Sequence, residues 1–312
     1  MLNRRHLRIK VLQALYAYEQ SNNENYSAGE KELLHSIDKM YDLYVDYLQI
    51  LPELKRFAER KIEERKRKVR PTEENLAPNL SFVENDFLIQ ISENAKLDEA
   101  SDDLKVNWVG DVKQDLIKKL FTQIEKSDVY IDYMSKPKGD FAEQKAFIVK
   151  LFKSEVCNSS ILLNYFEEVR IHWTDDFDHV FSMIIKLFKS FKEGDETTIL
   201  DLYKDDEEEF ILKLFRRSVS NFESHTSQLA EYTKNWDSDR LAKMDIFIMN
   251  LAITEAKEFN QIPLKVTLNE YIEISKFYST PKSSNFINGV LDKLFGQLTK
   301  DGAIRKVGRG LV

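Results

Sequence analysis

Apolar residues recur at helical spacing over most of this chain. Near the N-terminus they fall every three or four positions over about residues 4–20, which predicts a helix whose body is buried. That stripe consists of Leu7, Val11, Leu15 and Tyr18. The spacing resumes after the polar, turn-like residues 22–29 and predicts a second amphipathic helix. Its stripe consists of Leu33, Ile37, Met40, Tyr44 and Leu48.

The middle of the chain alternates amphipathic stretches with polar breaks or breaks that contain Pro or Gly. Residues 56–70 are intensely charged, and residues 71–78, bounded by two prolines, predict a loop. Beyond this loop, amphipathic spacing predicts further helices. They cover Phe87–Leu97, Val112–Tyr133, Phe141–Phe166 and residues 175–191.

The helical signals sharpen after about residue 210. One helix there is apolar round most of its circumference, which predicts a central position, and Asp237 or Ser238 could cap it. Its apolar positions are Leu241, Met244, Phe247, Ile248, Leu251 and Ala252. Thr267 and Glu270 have the spacing of a capping box, which predicts that the next helix begins there.

The last helix is predicted to begin at Thr280-Pro281, with an apolar stripe that runs from Phe286 to Leu298. Gly289 lies inside this stripe. Because Gly is disfavoured in a helix interior, its presence favours close packing against a neighbouring helix.

Composition supports a mainly helical protein. The 312 residues are 42% hydrophobic and 32% charged, with 9 Gly and 6 Pro, so helix-breaking residues are scarce. No apolar run approaches the roughly 20 residues needed to span a bilayer. The single cysteine, Cys157, cannot form an intramolecular disulfide. We therefore predict an all-α fold of helical bundles, a cytoplasmic location and no association with membrane.

The distribution of charge points to local anion binding. The formal net charge is −7, which argues against indiscriminate binding to polyanions, yet the N-terminus carries Arg4, Arg5 and Arg8 with no acidic neighbour. Cations in the first turn of a helix oppose its macrodipole, so they favour an external partner such as a nucleic-acid phosphate. The alternative is an exposed terminus that tolerates any residue. Residues 55–70 form a second basic candidate, but their alternation with Glu is typical of a solvated helix.

A search for catalytic motifs finds no specific site. The chain has no Gly-rich phosphate loop, no paired-cysteine motif and no nucleophile elbow. His172 and His179 could share a helix face, although the sequence offers no third metal ligand. We therefore expect no catalytic residues, no cofactor, no metal and no small-molecule substrate, and predict that the protein is not an enzyme.

Three stretches resemble the NusB family of transcription antitermination factors. Residues 4–8 (RRHLR) and 11–16 (VLQALY) resemble the Arg-rich opening and first helix of that family. Residues 263–274 (PLKVTLNEYIEI) and 284–293 (SNFINGVLDK) are similar to its two C-terminal motifs, in the same order.

This resemblance implies a fold of two small helical bundles that needs no cofactor. It also implies pairing with the ribosomal protein NusE, binding of boxA-type RNA in ribosomal RNA leaders, and action within the transcription elongation complex to promote read-through. By position, Arg4, Arg5 and Arg8 would grip phosphates, and Lys282, Asn285 and Phe286 would complete the RNA surface. For Phe286, base stacking and core packing weigh evenly.

The resemblance also divides the chain and leaves alternatives. Residues 1–21 would be the first helix of the NusB-like core, residues 196–312 its remainder, and residues 22–195 a helical insertion of unknown role. Many relatives have an acidic residue shortly before the Phe, where this chain has Lys282. A helical scaffold of the same fold that no longer binds RNA is the alternative function. A fused RNA-modifying enzyme would need a strand-rich cofactor domain, which the sequence does not indicate.

Overall fold

Helix α1 (Arg4–Gln20) begins where the sequence pattern predicts it, in a computed structural model of the chain. Asn3 caps this helix, because its side-chain oxygen accepts a hydrogen bond from the backbone N–H of His6 at 3.0 Å. Leu7, Val11 and Leu15 are fully buried, which confirms the predicted stripe.

The structure describes residues 3–21, 25–70, 72–170, 173–194, 206–233 and 242–307. These residues contain helices and no strand, which confirms the all-α class. The further helices are α2 (Tyr26–Lys66), α3 (Glu73–Leu76), α4 (Asp86–Ser92), α5 (Ala95–Leu104), α6 (Asp111–Ile124), α7 (Asp128–Met134), α8 (Phe141–Leu151), α9 (Ser160–Val169), α10 (Phe177–Ser190), α11 (Glu207–Ser220), α12 (Phe222–Thr233), α13 (Lys243–Glu258), α14 (Leu264–Tyr278) and α15 (Ser283–Lys300).

Four residues named in the sequence predictions, His172, Asp237, Ser238 and Leu241, lie outside the described residues. Within the described ranges, no helix is both long enough and apolar enough to cross a lipid bilayer.

The chain divides into two units, each with its own internal packing. Unit 1 comprises Met1–Ile37 and Leu202–Val312, and unit 2 comprises Asp38–Asp201. The sequence prediction sets the corresponding boundaries at residues 21/22 and 195/196. The first boundary lies later in the structure because α2 begins in unit 1 and continues without interruption into unit 2.

Unit 1 is arranged round α13. This helix is buried continuously from Phe247 to Ala256, which confirms its predicted central position. It contacts α1, α11, α12, α14 and α15, so each of them covers part of its surface.

Gly29, in the first turn of α2, marks a close approach in the same unit. A Cβ there would lie 2.7 Å from the ring of Phe215 and 2.9 Å from that of Tyr18, so a larger residue would not fit.

Unit 2 contains shorter helices than the sequence predicts. Three segments that are each predicted as one amphipathic stretch consist of two helices. They are Phe87–Leu97 (α4 and α5), Val112–Tyr133 (α6 and α7) and Phe141–Phe166 (α8 and α9). The breaks coincide with side-chain caps, since Asn94, Ser127 and Ser159 each accept a hydrogen bond from the backbone of the helix that follows. Amphipathic spacing continues across such a break, so periodicity alone does not reveal it. The predicted loop at residues 71–78 contains the short helix α3.

The last helix of unit 2 matches its prediction well. α10 buries an apolar stripe against α8, with Ile184 and Phe188 fully covered. The α2 stripe is buried in the same way, from Leu33 in unit 1 to Leu48 in unit 2. Pro52 lies inside α2, and the helix continues through it.

Two valines with contrasting exposure test the packing of unit 1. Val290 in α15 is 2% exposed and Val266 in α14 is 43% exposed. We expect Val290→Ala to lower the free energy of unfolding by about 2 kcal/mol, because two buried methyl groups are removed. Val266→Ala should change it by less than about 0.5 kcal/mol, since the same change in an exposed position affects helix propensity alone. Chemical denaturation of both variants measures the difference, and equal values would contradict the assigned burial.

A buried histidine gives the fold a pH dependence. His225 in α12 is 3% exposed, and its Nδ1 lies 3.5 Å from Oγ1 of Thr254 in α13. Burial, with a smaller contribution from the charge of Lys257, lowers the pKa of His225 from 6.5 to about 4. The imidazole is therefore neutral in the folded protein at neutral pH.

The sign of the pH effect follows from this shift. Protonation is disfavoured in the folded state and not in the unfolded state, so stability is complete above about pH 6.5 and falls as the pH drops toward 4. Denaturation at several pH values should show this fall, and a His225→Asn variant should have a shallower slope over the same interval. An identical slope in both proteins would mean that His225 does not cause it.

Candidate nucleic-acid interface

The three arginines of α1 all contact carboxylates of unit 1, but they differ greatly in exposure. The side chain of Arg8 is 3% exposed and forms two hydrogen bonds to Glu255 of α13, at 2.6 and 2.8 Å. The Glu255 side chain is completely buried. Burial opposes the charge of Arg8, but the hydrogen bonds and charge of Glu255 outweigh this and raise the pKa of Arg8. Arg8 therefore keeps its positive charge inside the core.

Two residues of α14 complete the hydrogen bonds of this carboxylate. The Thr267 hydroxyl donates to Oε1 of Glu255 at 2.8 Å, and the Tyr271 hydroxyl donates to Oε2 at 3.2 Å. Both residues are fully buried. A buried charge is tolerated when its lone pairs are satisfied, and here four donors from two helices satisfy them.

The capping box predicted at Thr267 and Glu270 is wrong. α14 begins at Leu264, with Pro263 at the N-cap position, so Thr267 and Glu270 lie inside the helix. Their side chains bond to residues of other helices instead, Thr267 to Glu255 and Glu270 to Arg5. The spacing of a capping box is also one helical turn, so the same two positions can serve a tertiary network.

Arg4 and Arg5 lie at the surface beside this core. Arg5 makes a forked pair with Glu270, at 2.8 and 3.0 Å, and this pair raises the pKa of Arg5 and lowers that of Glu270. The Nη2 of Arg4 lies 2.6 Å from Oδ2 of Asp206. Phe210 of α11 packs beneath the guanidinium groups of Arg4 and Arg8, at 5.2 and 5.6 Å from its centroid. Thus Arg4 and Arg5 are more than one third exposed, whereas Arg8 is not.

The contacts of α1 with α14 set the direction of one helix along the other. Arg5 bonds to Glu270, and eight residues later in each helix the Gln13 amide donates to the Tyr278 hydroxyl at 3.3 Å. The two helices therefore run parallel. The basic end of α1 lies about 12 Å before the C-terminal end of α14, from the rise of 1.5 Å per residue.

A second buried carboxylate holds the turn that follows α14. Asp245 of α13 is 0% exposed and accepts hydrogen bonds from the hydroxyls of Ser279 and Ser283. Ser283 is the first residue of α15. Asp245 thus fixes the start of α15 and with it the positions of Lys282, Asn285 and Phe286.

These three predicted contact residues are accessible. Lys282 and Asn285 are exposed and, within the described part of the chain, their side chains form no hydrogen bond or ion pair. Phe286 is partly exposed and is not part of the fully buried stripe, which begins at Ile287. From the sequence, base stacking and core packing are equally favoured for Phe286. Its intermediate exposure is compatible with a ring that has one face toward solvent.

The close packing predicted at Gly289 is wrong. Outside the backbone of α15 itself, a Cβ at this position would meet no atom of the described residues within 4 Å, so no described neighbouring helix requires glycine there. Gly289 lies three and four residues after Phe286 and Asn285, and therefore on the same face of α15. The open space at Gly289 therefore leaves this face of α15 accessible to a binding partner.

One exposed aromatic residue is not revealed by the sequence pattern. Phe277 has the spacing of the apolar stripe of its helix, but it is 80% exposed. It lies two turns after Glu270, on the same side of α14, between the level of Arg5 and the start of α15. Two aromatic residues are adjacent here, and helical spacing does not show which of them points inward. In the structure Tyr278 contacts α1, and Phe277 points to solvent.

Comparison with known proteins identifies part of this chain. The sequence model described as the NusB family matches residues 179–295. The match begins in α10, which the sequence prediction assigns to the insertion, and ends in α15. It includes Glu255 and Glu270 but not α1.

Curated relatives match over a similar share of the chain. The transcription antitermination protein NusB of Chloroherpeton thalassium is 39% identical over 117 residues, 38% of this chain and 54% of that protein. The protein of the same name from Salinibacter ruber is 38% identical over 104 residues, 33% of this chain and 65% of its own length. The protein of the same name from Natranaerobius thermophilus is 39% identical over 92 residues, 30% of this chain and 66% of its own length. The chain therefore spans about half to two thirds of the length of these relatives, and no solved structure matches it.

The buried pair predicts a strong asymmetry among the arginine contacts. Glu255→Gln removes the carboxylate that forms both hydrogen bonds to the buried charge of Arg8 and leaves the more distant Glu270, at 3.9 Å. We expect it to lower the free energy of unfolding by about 3–5 kcal/mol. Asp206→Asn breaks an exposed pair and should cost less than about 1 kcal/mol. Denaturant titration compares the two.

A paired replacement supplies the control. Arg8→Met combined with Glu255→Leu removes both charges together and should recover part of the stability lost in Glu255→Gln, because the hydroxyls of Thr267 and Tyr271 then lack their acceptor. If the double variant were as unstable as the single one, lost packing and not the uncompensated charge would be the cause.

Proposed function

The chain carries a NusB family domain at residues 179–295, and from this premise we propose that it is an RNA-binding transcription antitermination factor. In this proposal it binds boxA-type leader RNA together with the ribosomal protein NusE and promotes read-through by RNA polymerase. It acts by assembly in the elongation complex, without catalysis and in the cytoplasm.

The observation that supports this proposal is the accessible basic end of α1, held in place by a buried partner. Arg8 and Glu255 fix the helix, so Arg4 and Arg5 are presented at a defined position on the surface. The exposed pair of Arg4 with Asp206 contributes little net stability, so Arg4 can exchange its carboxylate for a phosphate at low cost. The pair of Arg5 with Glu270 is forked and partly buried, and a phosphate can accept the same forked hydrogen bonds. Arg8 could contact a phosphate only if its pair with Glu255 opened. We therefore propose that Arg8 positions the other two.

A path for a single strand leads from this end along α14. It starts at Arg5, passes the exposed ring of Phe277 and reaches Lys282, Asn285 and Phe286. Alternating cations and accessible aromatic rings are the usual surface for single-stranded nucleic acid, with phosphates on the cations and bases on the rings.

A second function is favoured by one specific observation. Arg4, Arg5 and Arg8 are each already paired with a carboxylate of the same unit, which is also expected of a scaffold that does not bind RNA. The two proposals differ in whether the exposed pairs open for phosphate. Retained binding of NusE with no affinity for RNA at low salt would support the scaffold.

Charge reversal at the exposed arginines tests the RNA site. We expect Arg4→Glu with Arg5→Glu to weaken binding of a boxA-containing RNA by at least about tenfold. The slope of log K against log salt should also become shallower by about 1.4, since two phosphate contacts to a single strand are lost. Fluorescence anisotropy at several salt concentrations measures both quantities, with a scrambled RNA beside the boxA sequence.

The matched control is Lys118→Glu with Lys150→Glu, which changes the net charge equally at two exposed positions in unit 2. This variant should keep the wild-type salt slope. Circular dichroism should be unchanged in both variants because Arg8 is retained. Wild-type binding by the Arg4/Arg5 variant would remove the assigned site.

The open space above Gly289 gives an independent test. Gly289→Ala should stabilise α15 by up to about 1 kcal/mol, because Ala is the better helix former and meets no neighbour. If RNA approaches this face, the added methyl group should nevertheless weaken RNA binding. Gly296→Ala is the matched control, since Gly296 is also unobstructed and lies two turns further along α15. Equal RNA affinity in the two stabilised variants would exclude close approach at Gly289.

A further inference from the structure

Unit 2 contains a cavity of about 590 Å³ beside the C-terminal part of α2. This volume is within the usual range for small-molecule sites, about 300–1,000 Å³. Its walls combine cations with aromatic rings. The cavity belongs wholly to unit 2, whereas the basic end of α1 and the path along α14 belong to unit 1.

The cations come from one face of α2 and the turn that follows it. Lys61 and Arg65 lie four residues apart on one face of α2, and Lys68 follows in the turn beyond the helix end. All three line the cavity. Of the described residues in the wall, Glu125 is the one carboxylate. It forms an ion pair with Lys61 and lies 3.9 Å from Arg65. Lys61 and Arg65 therefore share one carboxylate, and Lys68 forms no ion pair with any described residue.

Aromatic side chains form another part of the wall. The rings of Phe82 and Phe121 are buried with centroids 5.7 Å apart, and Tyr130 packs on both, at 5.5 and 6.0 Å. Tyr130 remains partly exposed. The side-chain amide of Asn75, also in the wall, has no hydrogen-bond partner among the described residues.

Helix stability does not account for this arrangement. Cations in the last turn of a helix are favourable, which explains Arg65 and Lys66. The positive charge continues past the helix end at Arg67, Lys68 and Arg70, and residues 55–70 hold nine Lys and Arg against three Glu. Four of these cations form close pairs with carboxylates, and the positive charge that remains in excess lies mainly past the helix end, where an anion would reduce its self-repulsion.

We propose that this cavity binds a nucleotide, with its phosphate on Arg65 and Lys68 and its base against Tyr130. Arginine and lysine are the usual phosphate ligands, and an aromatic ring accepts any base by stacking. The nucleotide is either free or part of an RNA strand, since both present the same phosphate and base.

Paired charge-neutral variants of the full chain test this site. The probes are adenosine 5′-monophosphate and inorganic phosphate, followed by calorimetry, and a twelve-nucleotide single-stranded RNA. Arg65→Gln with Lys68→Gln should weaken binding of the mononucleotide by about tenfold or more, because charge-assisted hydrogen bonds are lost. The matched control is Lys66→Gln with Arg67→Gln, which removes the same charge from neighbouring positions outside the cavity wall. It should change the affinity by less than about twofold.

A third variant separates base from phosphate. Tyr130→Leu keeps an apolar side chain in the wall and should weaken binding of the mononucleotide while leaving that of inorganic phosphate unchanged. Arg4→Glu with Arg5→Glu should leave mononucleotide binding intact, so failure of the RNA site in unit 1 and failure of this site are distinguishable.

Competition between RNA and mononucleotide distinguishes the two sources of the nucleotide. Displacement of the mononucleotide by RNA supports an RNA strand, and mononucleotide binding without competition supports a free nucleotide. No binding of the mononucleotide by the wild-type chain, or equal losses in the two charge-neutral pairs, would overturn the proposal.

Discussion

The buried ion pair between Arg8 and Glu255 is the contact on which unit 1 depends. Two charges inside a core cost several kcal/mol each in desolvation, which is offset only when their hydrogen bonds are complete. Glu255 accepts bonds from Arg8, Thr267 and Tyr271, so α1, α13 and α14 meet at one carboxylate. A slip of α1 by one turn would separate Arg8 from Glu255 and break this set of hydrogen bonds, whereas apolar contacts that repeat every turn would tolerate it. The pair therefore fixes the register of α1 as well as its attachment.

The register of α1 in turn determines what the surface presents. With Arg8 fixed, Arg5 meets Glu270 and Gln13 meets Tyr278, so the exposed guanidinium groups lie at one end of α14. At the other end, Asp245 holds the turn into α15. The two buried acids of α13 thus place both ends of one surface. A rigid core with weakly paired outer cations is suited to binding phosphate, because the binding energy is not consumed by ordering the protein.

Much of the fold could be predicted from periodicity, whereas the roles of single residues could not. The stripes of α1, α10 and α13 are set by local spacing, and these helices lie where the pattern indicates. Arg8 and Arg5 look alike in sequence, and their separation into core and surface depends on Glu255, 247 residues away. Packing is the commoner role for residues such as Phe277 and Gly289, but their exposure depends on which helices surround them. Caps such as Ser127 escape prediction because amphipathic spacing runs across them.

The same ion pair helps to keep α1 packed in unit 1, although a long segment of the chain separates α1 from α11. Roughly 190 residues lie between these helices, and each doubling of a flexible connection costs about 0.6 kcal/mol in closure entropy. Even a fully flexible connection of this length would cost only about 2 kcal/mol more than one of about 20 residues. The burial of Leu7, Val11 and Leu15 exceeds that cost, since each contributes about 1.5–3 kcal/mol. Burial alone secures contact but not register. The ion pair of Arg8 fixes the register of α1. For this reason the chain can contain a large unit between α1 and α11 while the basic end of α1 keeps its position.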